Sequence, residues 1–69
     1  MKTKTLTILG DTLTVRYDGT LWVAPCCGRG FARAADAMRR EVEFYLVESG
    51  ETPTDEELDG YVDQMVDGR

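Results

Sequence analysis

Sixty-nine residues, 42% hydrophobic and 30% charged, form one small globular domain spanning 1–69 and leave no room for a second. Eight Lys and Arg against thirteen Asp and Glu give a net charge of −5, and there is no histidine. That excludes imidazole-activated nucleophiles and most catalytic zinc sites.

A chain this short buries only about 60% of its unfolded surface, so a staple or a partner would help it. The two cysteines, Cys26 and Cys27, are neighbours and cannot cross-link distant segments. A reducing compartment is therefore expected, with no cofactor and no metal. After Lys2 and Lys4, the broken apolar group Leu6, Ile8, Leu9 is too short for a signal-peptide core or a membrane span, which makes the cytoplasm the expected location.

The predicted fold class is α+β: a three-stranded antiparallel β-meander, then a long helix packed on the sheet, then a shorter acidic C-terminal helix. Alternation of apolar and polar residues predicts strands over Thr5–Leu9, Thr12–Tyr17 and Thr20–Ala24. Gly10-Asp11 and Asp18-Gly19 supply two-residue turns, which pair Ile8 with Leu13, Leu6 with Val15, and Val15 with Trp22. Leu6, Ile8, Leu13, Val15, Tyr17, Trp22 and Ala24 then share the core face. Thr5, Thr7, Thr12, Thr14 and Arg16 face water, together with Leu9, Leu21 and Val23. The third strand is apolar on both sides, as expected of a covered strand or an edge used for pairing.

Pro25 ends that strand, and residues 26–30 read as a flexible connector. A helix is predicted from about Phe31 to Glu48, with Phe31, Ala35, Met38, Val42, Tyr45 and Leu46 on the core stripe and Ala34 beside it. Asp36 with Arg40 and Arg39 with Glu43 stand four apart on the solvent side. Phe44 and Val47 point away from the stripe, near Ala37 and Arg40, and form a second candidate contact patch. Ser49-Gly50 closes the helix. Thr54 with Glu57 fits a capping box for a helix over Asp55–Val66, whose core side is Leu58, Tyr61, Val62, Met65 and Val66. Asp55, Glu56, Asp59, Asp63 and Asp67 gather on another arc.

Charge separates along the chain. Residues 1–40 carry seven basic and three acidic side chains, net +4, and residues 41–69 carry one basic and ten acidic, net −9. Solvation and helix capping explain some of these acids. An excess this large also suits docking on a basic groove, where carboxylates replace phosphates, and it disfavours direct binding to nucleic acid. Lys2, Lys4, Arg16, Arg29, Arg33, Arg39 and Arg40 are the rival basic surface, with Tyr17 or Trp22 for stacking, although both rings fall on the core face. Cys26-Cys27-Gly28-Arg29-Gly30 is the only segment resembling a reactive site. A thiol before a helix N-terminus and near Arg29 is expected to have a lowered pKa. The plainer reading is a tight connector with buried thiols. The acids form no evident catalytic pair, so no catalytic residue is assigned.

In size, acidity and element order, the meander of Thr5–Ala24 followed by helices over Phe31–Glu48 and Asp55–Val66 resembles the small anti-CRISPR proteins of bacteriophages and mobile elements. The resemblance spans all 69 residues, rests on no sequence motif, and transfers no site residue. It implies a non-enzymatic protein inhibitor acting in the bacterial host cytoplasm. Its partner would be a CRISPR–Cas complex, blocked in several known cases by acidic mimicry of DNA; the charge pattern, and not the resemblance, offers Asp55, Glu56, Asp59, Asp63 and Asp67 as the surface that would keep target DNA out. The basic first half departs from a uniformly acidic mimic. The alternative is a small structural or regulatory homodimer that buries Phe44, Val47 and a strand edge.

Overall fold

The computed structural model describes residues 2–68. Its element order is β1 (Thr3–Ile8), β2 (Asp11–Tyr17), β3 (Trp22–Ala24), β4 (Arg29–Phe31), α1 (Ala34–Glu48), α2 (Asp55–Val62) and β5 (Val66–Asp67). The strands form one five-stranded antiparallel sheet in the order β4-β3-β2-β1-β5, and both helices pack on one face. The α+β class holds, while the three-stranded meander is the middle of a larger sheet.

The first turn lies one residue earlier than Gly10-Asp11. Ile8 pairs with Asp11 and Leu6 with Leu13, so Leu9 and Gly10 make the loop, both at positive φ (49° and 87°). Two successive residues of that hand form the hairpin turn that matches strand twist. Glycine accepts this readily and leucine does not. The second loop is longer than expected: Tyr17 pairs with Trp22, leaving 18–21 as the connection. The Asp18 carboxylate accepts the N–H groups of Thr20 and Leu21, both at 2.8 Å, which holds its pKa below the usual carboxylate value. Each register differs from expectation by two residues, an even shift that leaves every side chain on its predicted face.

The core face is therefore as read from the alternation. Leu6, Ile8, Val15 and Ala24 are buried, and Leu13 and Trp22 pack against them. Met38, Val42 and Leu46 of α1 and Leu58 of α2 close over this layer. Ala37 is also fully buried, in contrast to the outward position expected beside Phe44.

Several element boundaries differ from expectation, most of all at the start of α1 and the end of α2. Phe31 is a strand residue opposite Trp22, and α1 begins only after Arg33, an N-cap with extended backbone and no side-chain hydrogen bond. No Ser, Thr, Asp or Asn stands there to mark the start. Because β4 pairs with β3, the third strand is not an edge; β4 and β5 are. The α2 helix stops at Val62, and Val66 and Asp67 instead pair with Thr5 and Lys4 of β1. The Thr54 cap is present, with Thr54 Oγ1 accepting the Glu57 N–H at 3.2 Å.

The end of α1 forms a tight left-handed cap. Gly50 has φ 85°, its N–H donates to the Val47 carbonyl, and the Glu51 N–H donates to the Leu46 carbonyl at 2.8 Å. The turn sets the angle at which the 51–54 connection leaves α1 and enters α2.

Candidate partner-binding surface

The predicted acidic arc is divided by the fold. Asp55, Glu56 and Asp59 lie on α2, Asp63 caps its C-terminus, and Asp67 sits in β5. Three of the five have partners within the chain. Arg39 of α1 reaches across to Asp55 at 2.8 Å and to Asp59, and Lys4 pairs with Asp67 across the β1–β5 ladder. The Lys4 ammonium holds the Asp67 carboxyl below its usual pKa. Arg39 was expected to pair with Glu43 and Arg40 with Asp36. Instead Arg40 bridges Glu43 at 2.9 Å, because Arg39 finds two carboxylates on the neighbouring helix.

These pairs do not remove the acids from solvent. The side chains of Asp55, Asp59 and Asp67 remain 91%, 68% and 82% exposed. Exposed pairs of this kind are worth at most about 1 kcal/mol, so an incoming cation displaces them cheaply. One guanidinium also cannot neutralise two carboxylates. Glu56 and Asp63 are exposed and form no ion pair among the described residues. Asp59 and Asp63 border a shallow hollow of about 370 Å³ between the helices, shared with Arg33, Asp36 and Arg39.

Phe44 and Val47, predicted to point outward, are 47% and 57% exposed. They line a groove of about 350 Å³ with Arg40, Glu43, Thr52 and Pro53. The α1 helix supplies one wall and the 51–54 connection the other. Pro53 was not singled out by sequence reading, since only the α1 cap brings it back beside Phe44.

The basic half is largely engaged. Besides Lys4, Arg39 and Arg40, Lys2 lies over the Tyr17 ring at 5.9 Å and Arg29 over Phe31 at 5.4 Å. Tyr17 and Trp22 pack against each other with ring centroids 5.3 Å apart, half-buried on the helix-covered face. Trp22 packs against the core on one side and on the other borders a hollow of about 520 Å³ with Lys2, Lys4 and Asp67.

At Cys26 the sequence expectation is reversed. Glu41, which is 8% exposed, points from α1 into the 25–28 turn and accepts the Cys26 N–H at 2.6 Å. Burial and the adjacent carboxylate push the Cys26 thiol up to about 12, the opposite of an activated cysteine. Cys27 is exposed and Cys26 partly covered. Glu41 escaped sequence reading because a charged residue beside Arg40 and Glu43 gives no sign of burial. Among the described residues, no group of three or more Cys, Asp or Glu side chains is placed to hold a metal ion, and no helix is long and apolar enough to cross a membrane.

The described residues form a small α+β domain that exposes, among other surfaces, an acidic helix and an apolar groove. No family model matches the chain, and neither a curated protein nor a solved structure is found to be similar to it.

Proposed function

We propose that the chain is a non-enzymatic protein inhibitor that docks its acidic C-terminal third on a basic, nucleic-acid-binding surface of a partner. The observation carrying this reading is that residues 41–69 hold ten acids against one Arg, while among the described residues only Arg39 and Lys4 form ion pairs with the Asp55, Glu56, Asp59, Asp63 and Asp67 set. The set keeps excess negative charge on exposed carboxylates. Those charges would occupy Lys and Arg groups that otherwise hold phosphates. In its specific form, following the resemblance in size, acidity and element order, the partner is a bacterial CRISPR–Cas complex and the blocked step is target DNA binding.

The test is competition. Increasing amounts of the protein are added to such a complex, and occupancy of labelled target DNA is read by fluorescence anisotropy. Stoichiometric loss of DNA binding that weakens with salt is expected. Glu56→Lys with Asp63→Lys should restore DNA binding, and this pair leaves the Arg39 and Lys4 bridges intact. DNA occupancy that stays unchanged at saturating protein would remove the CRISPR–Cas form. Inhibition that survives the double reversal at all salt concentrations would remove the acidic-surface mechanism.

A further inference from the structure

The hydrogen-bond phase of the sheet leaves one backbone position of β4 unspent. In an antiparallel ladder, pairs that exchange both N–H···O bonds alternate with pairs that exchange none. The Asp18 N–H donates to the Leu21 carbonyl, so Tyr17 with Trp22 is an unbonded pair and Arg16 with Val23 a bonded one. The Tyr17 N–H, which donates to the Lys2 carbonyl, fixes the same phase from the other side. Val23 therefore turns its groups toward β2, and the bonds between β3 and β4 fall at Trp22 with Phe31 and at Ala24 with Arg29. Gly30, between them, points its N–H and C=O away from the sheet, and no turn or cap among the described residues engages either. Gly30 is also only half-buried, so this edge is open to an incoming chain.

We infer that β4 accepts an extended segment of a partner protein as a further strand, bonded through Gly30. Only an extended backbone carries an N–H and a C=O on one side of one residue, as the two Gly30 groups together require. Side chains then set the sequence of the segment. Phe31 packs on the helix-covered face, and α1 presents Asp36, Arg39, Arg40 and Glu43 at helical spacing beside it, bounding a hollow of about 320 Å³. Arg29 shares that face, lies over the Phe31 ring at 5.4 Å, and forms no ion pair among the described residues. An antiparallel segment sets one residue opposite Phe31 with its side chain at the hollow, the next opposite Gly30, and the third opposite Arg29. A large apolar residue suits the first position and Asp or Glu the third. The middle side chain meets Leu21, which lies across Gly30 on the other face. Because β4 has three residues, the added segment is short. A second copy of β4 fits poorly, since it places Arg29 opposite Phe31 and brings no carboxylate to Arg29. This surface is separate from the α2 acids and goes beyond the inhibitor reading.

The first test needs no ligand. Amide hydrogen exchange, followed by NMR on the whole chain, should show Gly30 far less protected than Arg29 and Phe31; equal protection at the three positions overturns the phase on which the edge rests. The probe for the segment is the capped peptide Thr-Thr-Phe-Val-Asp-Thr-Thr. Its titration should shift the Gly30, Phe31 and Asp36 amides and slow exchange at Gly30. N-methylation of the peptide's Val removes the N–H that donates to the Gly30 carbonyl and should weaken binding roughly fivefold to tenfold with no side chain changed; equal affinity overturns strand addition. A peptide with Lys in place of Asp should bind the parent chain more weakly and recover affinity with Arg29→Glu, and indifference to this exchange of charges overturns the assigned sequence. No binding of the first peptide at millimolar concentration overturns the inference. Protection of Gly30 that grows with protein concentration alone assigns the edge to a second copy and also overturns it. Glu56→Lys with Asp63→Lys should leave peptide binding unchanged, so the two readings fail separately; loss of peptide binding in that variant would move the site to α2 and refute this one.

Discussion

Leu9 holds a conformation that its side chain resists, and replacing it tests the turn directly. With φ at 49° it sits in the left-handed region beside Gly10, closed by the Ile8–Asp11 pair. An L-residue there costs roughly 1–2 kcal/mol, and asparagine far less, which is why Asn-Gly dominates turns of this hand. Leu9 is 70% exposed, so Leu9→Asn forfeits little burial, under about 1 kcal/mol against the roughly 1.5–3 kcal/mol of a fully buried leucine. The net gain should be about 0.5–1 kcal/mol, or about 2–8 °C in melting temperature for a domain of this size. Urea denaturation followed by Trp22 fluorescence measures it, with Leu9→Ala as the control that removes the side chain without relieving the backbone. A neutral or destabilising Leu9→Asn would refute the turn assignment. Equal stabilisation by alanine would show that the apolar side chain, and not the backbone, was at fault.

Three further outcomes follow from the site geometry. Glu41→Ala strands the Cys26 N–H and should cost about 1–3 kcal/mol in chemical denaturation, with Glu41→Gln milder because it keeps an acceptor; equality of both variants with the parent would remove Glu41 from the turn. At pH 8, iodoacetamide should label Cys27 and leave Cys26 almost untouched, since the latter thiol titrates only near 12; two adducts forming at similar rates by mass spectrometry would contradict the Glu41 contact. The backbone N–H groups of Leu21 and Thr20 hold the Asp18 carboxyl, and Lys4 the Asp67 carboxyl, below the ordinary aspartate value, so their contribution to stability is present above the unfolded pKa and is lost as the pH falls through the lowered folded one. Replacing Asp18 with Asn should flatten the acid limb of the stability profile, and an unchanged limb would place the acid sensitivity elsewhere.

The parts of the fold legible in the sequence are those encoded by local periodicity. Alternation placed Leu6, Ile8, Val15 and Ala24 on the core face, and helical spacing placed Met38, Val42, Leu46 and Leu58 there. Face assignment survived two errors of register because both shifts were even. Less legible were the strands whose identity depends on distant partners. Arg29–Phe31 is short and contains a glycine, so nothing local separates it from a loop until Gly30 pairs with Val23. Its lack of a side chain is needed there, since a Cβ on Gly30 would fall 2.6 Å from Leu21 Cδ1. Val66 continued the apolar spacing of α2, and only the edge of β1 drew it into the sheet. At the candidate surface, the acids were visible by count, whereas their division by Arg39 and Lys4 required knowing which helix and strand face them. Phe44 and Val47 were found as outward residues on an amphipathic helix, but the groove needed Pro53, which comes back only through the cap at Gly50.

The pairing of Lys4 with Asp67 joins positions 63 residues apart. Such a contact has a high sequence separation, and closing so large a loop directly is entropically costly. The cost shrinks once α2 has docked through Leu58, because only a few residues then separate its end from β5. The last strand is thus expected to join the sheet after the folding barrier has been crossed. Weakening it by Asp67→Asn should speed unfolding and leave the folding rate nearly unchanged. The edge strand would then act as a latch on the native state and not as part of the nucleus that builds it.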